Sequence, residues 1–160
     1  MQRKTKRNLV IVAVGFAAGL LFALFSMRES TEPLTLSALS AARARWQATG
    51  VTTYDLHYRM QDEIYHVKAE NHSITSVTIN GTRARTNMPR MYGIEGIFDI
   101  LAMDLENMTN PAGPFAGRQN QVLMRVRFHP TLGYVERYLR SSGGVGRAAS
   151  IELIALDVTD

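Results

Sequence analysis

The sequence predicts an α+β fold: an N-terminal transmembrane helix, then a two-layer domain in which one curled antiparallel sheet of about six strands is covered by two helices. Three observations predict it. Residues 9–25 form an unbroken apolar run, extended by Ser26 and Met27 and preceded by Arg3, Lys4, Lys6 and Arg7. Beyond residue 50, several short stretches alternate apolar and polar residues, as half-buried strands do, and the short turns between them imply antiparallel pairing. Two other stretches repeat their apolar residues every three or four positions, which gives helices with one face to bury.

Residues 9–27 would span about 28 Å as a helix, close to the hydrocarbon thickness of a bilayer. Cationic flanks stay cytoplasmic, so the reading is a flank at 1–8, a spanning helix at 9–27, a linker at 28–36 and an extracytoplasmic domain at 37–160. That is a single-pass protein of a bacterial cytoplasmic membrane, N-terminus inside, touching lipid through 9–27. The apolar core is long for a cleaved signal peptide, and the best cleavage position puts Leu24 where a small residue is required. Gly15 and Gly19 form a G-x-x-x-G pair, a candidate helix–helix contact and hence a candidate homo-oligomer seam. The formal net charge of +4 matches the four basic residues of the flank. The remaining charge is balanced, so nucleic acid is excluded as a partner.

Within the domain, residues 37–49 read as a helix with Ser37 at its N-cap and Gly50 just past its end. Leu39, Ala42, Arg43 and Trp46 share one face, and Trp46 is the expected plug against the sheet. Residues 53–60 alternate, with Tyr54, Leu56, Tyr58 and Met60 on one face and Thr53, Asp55, His57 and Arg59 on the other. Gln61-Asp62-Glu63 reads as the turn into a strand at 64–70, and Asn71-His72-Ser73 as the turn into another at 74–79. Asn80-Gly81 is the strongest hairpin signal in the chain, because both residues tolerate positive φ. The short polar strand after it, 82–86, belongs at an edge. Residues 94–108 form the clearest amphipathic helix, with Ile94, Ile97, Phe98, Leu101, Leu105 and Met108 on one side. Residues 110–120 read as a loop, and three strands follow at 122–128, 134–140 and 151–158. The order of elements has the general shape of cystatin-like folds.

The chain has no cysteine, which removes disulfides, thiolate metal ligands and cysteine nucleophiles. His57, His66, His72 and His129 show no metal-ligand spacing of the H-x-x-x-H kind. His57 and His66 would approach each other if their strands paired, and they read as two solvated histidines. No G-x-S-x-G elbow and no phosphate-binding loop appears; the glycine-rich 141–146 stretch lacks the lysine that a phosphate loop carries. No catalytic, cofactor-binding or metal-binding residue is therefore assigned, and no enzyme is expected. The candidate interaction surface is cationic: His57, Arg59, His66, Lys68, Arg125 and Arg127 all fall on outward strand positions, where arginine forks suit carboxylate or phosphate partners.

Three stretches carry a family resemblance: Ala44-Arg45-Trp46 with Thr53-Tyr54-Asp55-Leu56; Ile94-Glu95-Gly96-Ile97-Phe98-Asp99-Ile100-Leu101; and Val126-Arg127-Phe128-His129-Pro130-Thr131-Leu132-Gly133-Tyr134. Over about residues 40–158 the chain resembles an uncharacterised bacterial envelope family, a DUF6174-like domain of unknown function. The resemblance implies a small exported or membrane-attached α+β domain, with no activity and no binding residues to carry over. Val135 stands where proline usually follows Gly-Tyr, and the cysteines common near the first strands are missing. The resulting expectation is a membrane-anchored, non-catalytic binding or scaffolding module with an envelope protein as partner. Two alternatives stand beside it: a structural subunit of a larger envelope or secretion complex, and a hydrolase with an unrecognised site.

Overall fold

Alternation in the strands and positive φ in the turns set the architecture. The computed structural model describes residues 30–141, 143 and 148–159. In order they build strand β1 (Glu32–Pro33), helix α1 (Leu36–Ala48), strands β2 (Thr53–Met60), β3 (Glu63–Glu70), β4 (Ser73–Ile79) and β5 (Thr82–Arg83), helix α2 (Ile94–Thr109), and strands β6 (Leu123–Phe128), β7 (Val135–Ser141) and β8 (Ala149–Thr159). The eight strands form one open antiparallel sheet in the order β1-β6-β7-β8-β2-β3-β4-β5.

The hairpins on the β2 side turn on two residues each. Gln61 takes φ 55°, Asn71 and His72 take 50° and 64°, and Asn80 takes 50°. These turns match the right-handed twist of the flanking strands. They set the register: Met60 faces Glu63, Tyr58 faces Tyr65, and Leu56 faces Val67. Asn80 also accepts a hydrogen bond from the Ile64 amide through its Oδ1, at 2.9 Å.

One face of the sheet is apolar and is covered by both helices. Leu39, Ala42 and Trp46 of α1 and Ile97, Phe98 and Leu101 of α2 join one core with Leu56, Tyr58, Val67, Val126 and Tyr138. Burying a side chain of this size contributes about 2 kcal/mol. Trp46 meets Tyr54 and Tyr134 edge-on, with ring centroids 5.9 and 6.3 Å away. Arg43 ties the helices together: it hydrogen-bonds Glu95 through Nε at 3.0 Å, pairs with Asp99, and lies over the Phe98 ring. Burial opposes its charge, but the hydrogen bonds to Asp99 and Glu95 more than offset that, so its pKa is raised. The loop after α2 is pinned by Phe115, which is buried.

Several expectations are corrected. The sheet is open, with β1 and β5 at its edges, and is neither curled nor limited to about six strands. Residues 32–33, read as part of a polar linker, instead add an edge strand on β6, pairing Glu32 with Val126 and Pro33 with Arg125. Proline is at home there because an edge strand leaves one side of its backbone unpaired. The N-cap of α1 is Thr35, which accepts from the Ala38 amide, and not Ser37. No helix among the described residues is long and apolar enough to cross a membrane. The expected spanning segment, 9–27, lies outside the described residues, as do Gly15 and Gly19. The single-pass topology, the lipid contact, the helix-mediated oligomer and the inner-membrane location therefore gain no support, and neither does the envelope partner inferred from them.

Candidate functional site

The uncovered face of the sheet carries the second half of each alternation. On β2 the residues that point away from the core are Asp55, His57 and Arg59; on β3 they are Ile64, His66 and Lys68. Because Glu63 has already joined β3, His57 stands directly opposite His66, and Asp55 opposite Lys68. Both strands are interior, held by β8 on one side and β4 on the other.

This register gathers three donors. The imidazoles of His57 and His66 stack at 3.9 Å between centroids, 25° from parallel. Both present Nε2 to the same Asp55 oxygen: His66 Nε2 lies 2.5 Å from Asp55 Oδ1 and donates its proton there, and His57 Nε2 lies 3.3 Å away. The three ligand atoms all lie within 4.8 Å of one another. Lys68 Nζ approaches the other carboxylate oxygen, Oδ2, at 3.4 Å. The side chains are about a third exposed: 32% for Asp55, 38% for His57 and 31% for His66.

Two imidazole nitrogens and one carboxylate oxygen form a donor set for a first-row divalent metal, Zn²⁺ above all. With bonds of about 2.0–2.1 Å, tetrahedral donors stand about 3.3 Å apart. The His57–Asp55 spacing already has that value. The His66–Asp55 contact is a hydrogen bond whose proton a metal would replace, opening the gap by less than 1 Å, and the stacked rings would have to splay so that both in-plane lone pairs meet the ion. Lys68 on Oδ2 would orient the carboxylate, the outer support that metal ligands usually have.

The remaining arginines of the expected cationic surface each meet a partner. Arg59 Nη1 pairs with Glu152 at 3.4 Å, Arg127 Nε with Glu136 at 2.8 Å, and Arg125 with Thr31 through Nε at 2.9 Å. The structure thus draws His57, His66 and Lys68 together around Asp55; Arg59 follows His57 on the same face but pairs with Glu152, and Arg125 and Arg127 lie on β6. The residue that sequence reasoning left out of the candidate surface is Asp55, which it placed on the right face. The D-x-H spacing along β2 was the available signal: in a strand, residues i and i+2 share a face.

No family model, no curated protein and no solved structure matches the chain.

Proposed function

We propose that this domain is a metal-binding module whose centre is Asp55, His57 and His66 on the open face of the sheet. The observation that supports it is the convergence of both Nε2 atoms on one Asp55 oxygen, from two adjacent interior strands. Each imidazole presents its Nε2, an atom that can ligate a metal, to the same carboxylate oxygen. The donors of the site are two nitrogens and one oxygen, and the chain has no thiolate to add. That chemistry favours Zn²⁺, with Co²⁺ as a spectroscopic substitute, over a soft ion such as Cu(I). The proposed role is binding and not catalysis, because a third-exposed site on an open face excludes little water from a reacting group.

Calorimetric titration of the full chain with Zn²⁺ tests the proposal. Saturable binding at one site per chain is expected, with release of protons. His57→Ala and His66→Ala should each remove it, and Arg59→Ala should leave it intact. A chain that gives no binding heat, or a His57→Ala/His66→Ala double variant that binds as well as the parent, would refute the reading.

A further inference from the structure

We infer that the metal centre is an open one that takes a small oxyanion, a carboxylate or phosphate group, with Lys68 as its second contact. The inference rests on the metal-binding reading above.

The first argument is geometric. All three donors rise from one face of a sheet, and side chains stand roughly perpendicular to that face. Donors arriving from two neighbouring strands can occupy only the hemisphere of the metal nearest the sheet. The opposite hemisphere points to solvent, since neither helix covers this face and the donors are a third exposed. Sites with three protein ligands and an open position are the ones that exchange an external ligand; closed four-ligand sites are structural.

The second argument is electrostatic. With both imidazoles neutral, Asp55 cancels only half the charge of a divalent ion. Lys68 adds one positive charge beside it, and Glu70, the next outward residue of β3, one negative. Across β2 on the other side, Asp157 faces Asp55 and supplies one negative charge. Farther along the row that runs through His57, His66 and Thr78, Arg83 adds a positive one at the β5 edge. Arg59 is matched by Glu152. The loaded site is therefore cationic, and an anion is the ligand that its open position favours.

The third argument selects an oxyanion. Lys68 lies two residues beyond His66 on the same face, and its half-exposed ammonium has three donors, of which Asp55 Oδ2 uses one. The other two donors leave that ammonium able to hold a second anionic oxygen while it keeps its contact with Asp55. The neighbouring strand places two hydroxyls alongside: Ser76 faces Lys68 and Thr78 faces His66. A ligand with one oxygen on the metal and another on Lys68 would have these hydroxyls as further donors. A monatomic anion such as chloride would use the metal alone.

The test is a titration of the Co²⁺-loaded full chain with acetate and, separately, with inorganic phosphate, read from the visible cobalt bands. A saturable spectral change is expected with at least one of them, and the arm that saturates at lower concentration identifies the preferred oxyanion. Lys68→Met, titrated at a cobalt concentration that saturates its own centre, should lose about tenfold in oxyanion affinity, the value of one charge-assisted hydrogen bond. Lys68→Arg should restore most of it, and the chloride response should be the same in all three proteins. A loaded centre whose bands ignore both oxyanions overturns this inference and leaves metal binding standing. So does Lys68→Met with undiminished oxyanion affinity. A chain that gives no cobalt bands at all overturns the metal site and the inference together.

Discussion

Tyr58 and Tyr138 carry the same phenol into the same core, with opposite consequences. Both are essentially inaccessible to solvent. The Tyr58 hydroxyl is buried with no hydrogen-bond partner among the described residues. The Tyr138 hydroxyl donates to Asp104 Oδ2 at 2.6 Å, and Asp104 is itself buried and paired with Arg140. Removing a buried unsatisfied group gains stability, whereas removing a partner from a buried charge loses it. Tyr58→Phe should therefore raise the unfolding free energy by about 1 kcal/mol, and Tyr138→Phe should lower it by about 2 kcal/mol, both read from urea denaturation. Gly133 is a third position where one atom decides. Its φ is +84°, and a Cβ there would sit 2.2 Å from the Ala42 carbonyl oxygen. The backbone of α1 and the turn before β7 touch at that point. Gly133→Val should cost about 3 kcal/mol or more, since strain and overlap add; an unshifted melting temperature would contradict the close approach.

At the scale of elements, the β2–β3 hairpin shows what a sequence reveals and where it stops. The alternation in 53–60 placed Asp55 and His57 on the uncovered face, and that reading needed only the period of two. Their meeting with His66 depends on the turn. A three-residue turn through Glu63 would pair His57 with Val67 and scatter the donors; the two-residue turn at Gln61-Asp62 pairs it with His66. Because Gln61 is an uncommon residue at positive φ, composition gives no sign of that choice. If the hairpin does hold a metal, Zn²⁺ should stabilise the folded chain by mass action, raising the melting temperature of the parent and not of His57→Ala. The helix pair makes a separate prediction. Arg43 and its two acids are about a third exposed, so solvent screening reduces their worth to about 1 kcal/mol. Arg43→Met should cost about that much in low salt and less in high salt, as denaturation at two ionic strengths would show.

For the whole molecule, the phenols couple folding to alkaline pH. Burial raises the Tyr58 pKa above its ordinary value, and burial followed by the hydrogen bond to Asp104 does the same for Tyr138. The folded chain therefore keeps these protons at a pH where the unfolded chain has released them. Their contribution to stability is complete below about pH 10 and is lost as pH rises beyond it. Melting temperature should fall steeply above that pH, with phenolate absorbance rising together with unfolding. The same scale explains which strands were legible. Seven of the sheet's strands have counterparts in the sequence pattern, β5 only as the first two residues of a longer expected strand. β1 has none, because two residues containing Pro33 carry no period to read. Strand order was not legible either: nothing local in 149–159 announces that this segment belongs between β7 and β2.

That placement of β8 has a consequence for biosynthesis. The sheet is two meanders, β6-β7 with β1 and β2 to β5, joined only where β8 lies between them. A nascent chain still lacking 149–159 has two unjoined sheet fragments and a β2 edge with half its backbone groups unpaired. Closing the gap pairs Thr53 with Thr159, among the most distant contacts in the described fold, and such contacts form slowly. The domain is thus completed only after its last strand has left the ribosome. The donors Asp55, His57 and His66 lie on a single local hairpin and emerge long before that, so a cation bound there would fasten the unfinished edge while the chain waits for its closing strand.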